Sequence, residues 1–254
     1  MVNDQNKVTV MDFTGIYEHE HFYQHKRINW INCLDIKGTH GYCSDEAAKE
    51  ICKRIKDLSY QGIHFIDSGN FHYVSLFWLE KIPKDFVLVF LDHHCDMLKP
   101  AFGDLLSCGS WVLEALKNLQ HLKKVIMIGI DSSQVELIDR HYFDQIIYFT
   151  DQDSVDIQKI QEVHHLLQQY PIYVSIDKDV LSKRVIKTDW QQGKMAFLEL
   201  KLILADVIKR SDVLGIDVCG ECGNEVATLH NIEDNDRLNY QIMEFIQREL
   251  KENV

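Results

Sequence analysis

Proline is nearly missing from the 254-residue chain, with three in all, well below the average usage of about 5%, which excludes a Pro-rich linker or tail. Long apolar runs are missing too. None approaches the ~20 residues that span a bilayer, and the segment Met1 to Lys7 is polar, so neither a signal peptide nor a membrane anchor is expected and the cytoplasm is the expected location. Positive charge is in deficit: 27 Lys+Arg against 39 Asp+Glu give a net charge of −12. Nucleic acid and anionic membrane surfaces attract basic stripes, so neither is an expected partner, and a cationic ligand suits the balance better. The seven cysteines (Cys33, Cys43, Cys52, Cys95, Cys108, Cys219 and Cys222) form an odd, scattered set. They read as reduced, mostly buried thiols rather than a disulfide framework. With 46% apolar residues the chain can bury one sizeable core, and residues 1–254 read as one domain.

What is present is an alternation. Short β-branched apolar runs (Val8 to Phe13, Ile63 to Ile66, Phe86 to Leu91, Lys124 to Ile130, Gln145 to Phe149, Ile172 to Ile176, Val213 to Val218) are separated by stretches of helical periodicity. Those stretches are Asp45 to Tyr60, Ser110 to His121, Gln134 to His141, Ser154 to Gln169, Phe197 to Arg210 and Asp236 to Lys251. Such alternation predicts an α/β fold, a three-layer α/β/α arrangement with a mostly parallel sheet, because strands buried on both faces read as continuous apolar runs. Ligands of these sheets bind beyond the carboxyl ends of the strands.

Two strand ends carry chemistry. Val87 to Leu91 runs into Asp92-His93-His94-Cys95-Asp96, and Ile172 to Ile176 into Asp177-Lys178-Asp179. Alternate side chains of an extended segment share a face, so Asp92, His94 and Asp96 can converge with Asp177 and Asp179. Four carboxylates in one crevice repel one another unless cations intervene. Oxygen and imidazole donors without a thiolate point to manganese, iron or zinc rather than copper or an iron–sulfur cluster. Capping of the following helices uses one carboxylate at a time and does not account for five such residues on two distant strands.

At these residues the sequence resembles the arginase/agmatinase (ureohydrolase) family, whose Asp-x-His-x-Asp and Ser-x-Asp-x-Asp motifs are matched by Asp92 to Asp96 and Ser175 to Asp179. Gly69-Asn70-Phe71-His72 stands where the family has an upstream Gly-Asp-His-Ser. The resemblance implies an arginase/deacetylase-like fold and two Mn²⁺ per chain, with Zn²⁺ or Fe²⁺ as alternatives. His72, Asp92, Asp96 and Asp177 would hold one ion, and His94, Asp92, Asp177 and Asp179 the other. It further implies hydrolysis of a C–N bond in a guanidino or related amidine group, with Asp96 moving the proton. A small cationic guanidino substrate or an arginine-containing peptide is the expected partner, and a homo-oligomer is compatible with the family.

The sequence also departs from the pattern. The family's guanidinium-binding Glu, three residues after the Asp of its last strand motif, is replaced by Gly220, and Glu221 follows Asp217 by four. Glu221 is the candidate substrate contact, and His93 a candidate acid or base beside the metals. The family's proton-shuttle His is missing from Ser107-Cys108-Gly109-Ser110-Trp111, and its Gly-Thr-rich loop reads Lys187 to Gly193. These changes imply a changed substrate. Cys219 and Cys222 read as structural or incidental thiols, His164 and His165 as a helix boundary, and Glu18 to His21 as a solvated loop. Trp111 and Trp190 are each either pocket wall or core. Two rival functions stand beside the hydrolase: a zinc-dependent deacetylase-like amidohydrolase, and a metal-binding regulatory protein without catalysis.

Overall fold

The computed structural model describes residues 7–24, 26–100, 103–152, 157–223 and 228–253. Its strands are β1 (Val8–Asp12), β2 (Ile28–Asn32), β3 (Tyr42–Cys43), β4 (Ile63–Phe65), β5 (Phe86–Leu91), β6 (Leu106–Ser107), β7 (Leu122–Ile130), β8 (Ile146–Thr150), β9 (Ile172–Asp177) and β10 (Val213–Cys219). Eight of them form one sheet in the order β2-β1-β4-β10-β9-β5-β7-β8, and every pairing in it is parallel. β3 and β6 pair separately and antiparallel. The helices are α1 (Asp45–Ile55), α2 (Val74–Leu79), α3 (Trp111–Asn118), α4 (Ile157–Gln169), α5 (Phe197–Arg210) and α6 (Leu229–Glu252).

Strand alternation divides the core in two. Phe86, Leu88 and Phe90 of β5 face α1, α2 and α3, whereas Val87, Val89 and Leu91 face α4, α5 and α6. The sheet is thus covered on both sides, as an all-parallel sheet requires. The same period sends Tyr173, Ser175 and Asp177 of β9 to the α1–α3 side. Ile172, Val174 and Ile176 pack on the other.

Differences from the sequence reading have local causes. β2 escaped notice because only Ile31 of Ile28–Asn32 is buried, as befits an edge strand. α2 escaped because all six of its residues are buried, which erases the amphipathic signal. The helix expected over 134–141 is two 3-10 turns, Ser132–Leu137 and Arg140–Gln145. Asp131 and Asp139 start them by accepting from the Ser133 and His141 amides two residues on. The start of the helix expected from Ser154 lies outside the described residues. No helix among the described residues is long and apolar enough to cross a membrane.

Candidate metal centre

The carboxyl ends of β4, β5, β9 and β10 meet at the middle of the sheet. After β4, Ser68 caps a 3-10 turn over Gly69–Phe71, which delivers His72. After β5 the chain carries Asp92 to Asp96, with Asp96 at φ 50°, a left-handed conformation that a non-glycine residue adopts only when its surroundings enforce it. Trp111, the first residue of α3, supplies part of that enforcement by donating Nε1–H to Asp96 Oδ2 at 2.7 Å. After β9, Asp177 Oδ1 accepts from the Asp179 amide at 2.8 Å, which turns the second carboxylate back toward the first.

His72 Nδ1 lies 3.1 Å from Asp92 Oδ2, 3.5 Å from Asp96 Oδ2 and 3.6 Å from Asp177 Oδ2. His94 Nδ1 lies 2.9 Å from Asp179 Oδ2 and 3.4 Å from Asp92 Oδ1. Asp92 therefore offers one oxygen to each histidine. His72, Asp92 and Asp96 form one set of donors within 4.8 Å of one another, and Asp92, His94 and Asp179 form a second. His72 is oriented from behind: Ser175 Oγ donates to Asp217 Oδ1 at 2.6 Å and stands 2.8 Å from His72 Nε2. With the serine hydrogen committed to Asp217, Ser175 Oγ accepts from His72 Nε2–H and aims Nδ1 at the carboxylates.

The electrostatics fit cations between these groups. Burial alone would disfavour a charged His72, yet the carboxylates of Asp92, Asp177 and Asp96 hold its pKa up at about 10. Burial likewise opposes a charged His94, and Asp179 and Asp92 raise it to about 12. Asp96 and Asp177 are raised by burial and then by the charge of Asp92, and Asp179 by burial and then by Asp177. Asp92 is also buried, but its bonds to His72 and His94 hold it below the usual carboxylate range. Four buried carboxylates with two imidazoles, one of them aimed from behind by Ser175, are the donor chemistry of a divalent cation pair.

Glu221 sits elsewhere than the sequence suggests. Gly220 has φ 94°, and a Cβ there would lie 2.4 Å from Asp177 Oδ1, so no side chain fits at the family's Glu position in this backbone. The next residue points to the other side, where Glu221 pairs with the buried Lys178 and accepts from Asn239. It is absent from the cavity wall, which removes it as the substrate contact. His93 also turns away. Its Nε2 lies 3.5 Å from Asp131, and its ring does not line the cavity. Glu20, expected in a solvated loop, is fully buried, with Oε2 accepting from Asn239. Burial and then the neighbouring Glu221 push its carboxyl up to about 10.

Several residues at the centre have roles that the sequence does not assign to them. Ser175 and Asp217 act through His72, Trp111 acts on Asp96, and Cys219 Sγ donates to Asp177 Oδ2 at 3.2 Å. Asp67, at φ 40°, accepts from the Phe13 and Thr14 amides through its side chain, and from Gly220 and Glu221 through its carbonyl. It binds together the exits of β1, β4 and β10. Period-2 alternation could have flagged Ser175, Asp217 and Cys219, since they share a face with Asp177.

Above the donors opens a cavity of about 360 Å³. Its wall includes His40, Tyr42, Asn70, Cys108, Gln134 and Trp190. The segment that lacks the shuttle His and the altered loop thus both reach it, through Cys108 and Trp190.

Such a centre at the carboxyl edge of an α/β/α sheet carries the donors of a metal-dependent hydrolase. The arginase family model matches residues 9–223, and the chain belongs to that family. An uncharacterized protein of Thermotoga maritima is 31% identical over 236 residues, covering 93% of this chain and 88% of the relative. Among solved structures, proclavaminate amidino hydrolase of Streptomyces clavuligerus superposes with a TM-score of 0.73 at 12% identity, over 98% of this chain and 92% of the other. Formimidoylglutamase of Bacillus subtilis gives 0.69 at 13% identity, over 96% and 87%. At such identities these two attest the fold.

Proposed function

We propose that the chain, as a single domain, is a binuclear metal-dependent hydrolase that cleaves a C–N bond of a guanidino or related amidine group. On a guanidine the products are urea and an amine. The observation that carries this reading is Asp92, whose two oxygens serve two donor sets at the floor of one cavity. The ligands are then His72, Asp92, Asp96 and Asp177 on one side, and His94, Asp92, Asp177 and Asp179 on the other. On these six donors alone manganese is favoured over zinc or iron, because they are carboxylate oxygens and imidazoles.

When bound, the pair of cations supplies an activated water near neutral pH. The protein's own residues do the rest. Asp96, fixed by Trp111, would take the proton of the attacking water as the C–O bond to the amidine carbon forms. The C–N bond to the leaving amine breaks, and Asp96 returns the proton to that nitrogen. Trp190, partly exposed at the cavity wall and with its ring centre 5.8 Å from that of His94, offers a face for a planar cation. The cavity wall also carries exposed Tyr42, Leu98 and Leu137, which favours a guanidino group borne on an apolar or peptide chain over a free amino acid.

The test is a substrate panel with manganese present: arginine, agmatine, guanidinobutyrate, a formimidoyl amino acid and an arginine-containing peptide. Release of urea or of the formamide-type product from one of them is expected. Asp96→Asn should lower that rate by about 10²–10⁴-fold with the fold intact by circular dichroism. Silence on every substrate, with two ions bound per chain, would overturn the amidine reading. One zinc per chain with deacetylation would favour the rival amidohydrolase.

A further inference from the structure

The thiol of Cys219 has no place in the oxygen-and-imidazole ligand set, yet the sheet puts it there. β10 pairs with β9 so that Cys219 stands beside Asp177, and both side chains leave the same face. Cys219 is fully buried, and its Sγ lies 3.2 Å from Asp177 Oδ2, the oxygen that faces His72 Nδ1 at 3.6 Å. Sγ, Oδ2 and an imidazole nitrogen of His72 form a third donor set within 4.8 Å of one another. Other buried thiols behave differently: those of Cys33 and Cys43 close onto backbone carbonyls, the ordinary arrangement for a cysteine used as a small hydrophobe. The bare Cα of Gly220 next in sequence leaves room for Asp177 beside the thiol.

Resting on the metal-centre reading, we propose that Cys219 is a thiolate ligand of the ion held by His72 and Asp177, so that this half of the centre takes a softer cation than manganese, such as zinc or ferrous iron. In the metal-free protein the Cys219 hydrogen lies between sulfur and a carboxylate oxygen. On loading, the S–H bond gives way to a sulfur–metal bond and the proton leaves to solvent. The two halves of the centre then differ. The His94 side keeps oxygen and nitrogen donors, and the His72 side gains sulfur, which selects along the softness scale.

Cobalt(II) substitution reads this directly. The apoprotein loaded with cobalt, with metal content measured, should show a near-ultraviolet sulfur-to-cobalt charge-transfer band. The band should be lost in Cys219→Ser and Cys219→Ala and kept in Cys95→Ala, Cys108→Ser and Cys222→Ser. The Cys219 variants should also lose preference for zinc over manganese in competition. Two bound cobalt ions with visible absorption but no charge-transfer band would overturn the thiolate and leave the metal centre standing. A band that persists in Cys219→Ala would also overturn it. A folded protein that binds no cobalt would overturn the centre and the thiolate together. Should both Cys219 variants fail to fold, X-ray absorption of the zinc-loaded protein with Cys95, Cys108 and Cys222 all changed to Ala decides. A sulfur neighbour at about 2.3 Å supports the proposal and its absence overturns it.

Discussion

His64 is a buried imidazole outside the catalytic face of the site, and it gives the protein an acid sensitivity of its own. Its ring stacks on Trp78 at 3.9 Å, and its Nδ1 meets the Tyr173 hydroxyl at 3.0 Å. Burial depresses its pKa to about 3 from 6.5. The unfolded chain therefore binds one more proton than the folded one between those values. The contribution of His64 to stability is full above about 6.5 and falls as pH drops toward 3, by about 1.4 kcal/mol per pH unit inside that window. Glu20, Asp67 and Asp217, whose carboxyls burial raises, act with the opposite sign in both proteins. The slope should therefore appear in the difference in urea-unfolding free energy between wild type and His64→Gln across this pH range. Nothing in the sequence singles out His64, which lies within an apolar run. Asp92 and Asp177 could be found because their motifs place several metal-type donors at two strand ends. One neutral histidine in a core leaves no such pattern.

Among the elements, α6 is tied to the centre through a single buried cation. Asp177 and Asp179 face the cavity while Lys178, between them, crosses to the opposite side. There it meets Glu221 after β10 and the side-chain carbonyls of Asn235 and Asn239 on α6. Breaking a buried ion pair by removing one partner costs about 3–5 kcal/mol, because the remaining charge is left unpaired in a dry environment. Lys178→Met should lose stability of that order in denaturant unfolding, and Lys178→Met with Glu221→Gln should recover much of it. A smaller loss in the double variant than in the single one is the outcome that ties the effect to charge rather than to volume. From the sequence this element-level link was invisible. Counting from Asp217 points to Glu221, and counting cannot register that Gly220, at φ 94°, turns the following side chain to the far face. Lys178 stood unremarked between two conspicuous aspartates for the same reason. Alternation says that it faces away, but not that the helix opposite carries two asparagines to receive it.

At the level of the whole molecule, the parallel sheet and its carboxyl-edge crevice were legible because both-face burial writes seven strands as apolar runs. The edge strand β2, with one buried residue, and the fully buried α2 were lost because neither leaves a periodic trace. A molecule with four carboxylates gathered at the middle of its sheet should be held together by the ions that it binds. Loading with divalent cation is expected to raise the melting temperature, and chelation to lower it. At a free ion concentration 100 times the dissociation constant the gain is about 2.7 kcal/mol per site. Calorimetry of the stripped and reloaded protein checks this. No change in melting temperature on loading would contradict the placement of the ions between these carboxylates.

The strand order carries one more consequence. β10 lies between β4 and β9, and apart from it β4 touches only β1 within the sheet. Until β10 is in place the sheet consists of two separate ribbons, one leading to His72 and the other to Asp92 and Asp177. At ribosomal speeds of about 5–20 residues per second, the nascent chain therefore spends several seconds with His72 made but apart from the other five donors. Asp92, His94, Asp177 and Asp179 share one ribbon and can meet without β10, whereas His72, on the other ribbon, joins Asp92 and Asp177 only once β10 bridges the two.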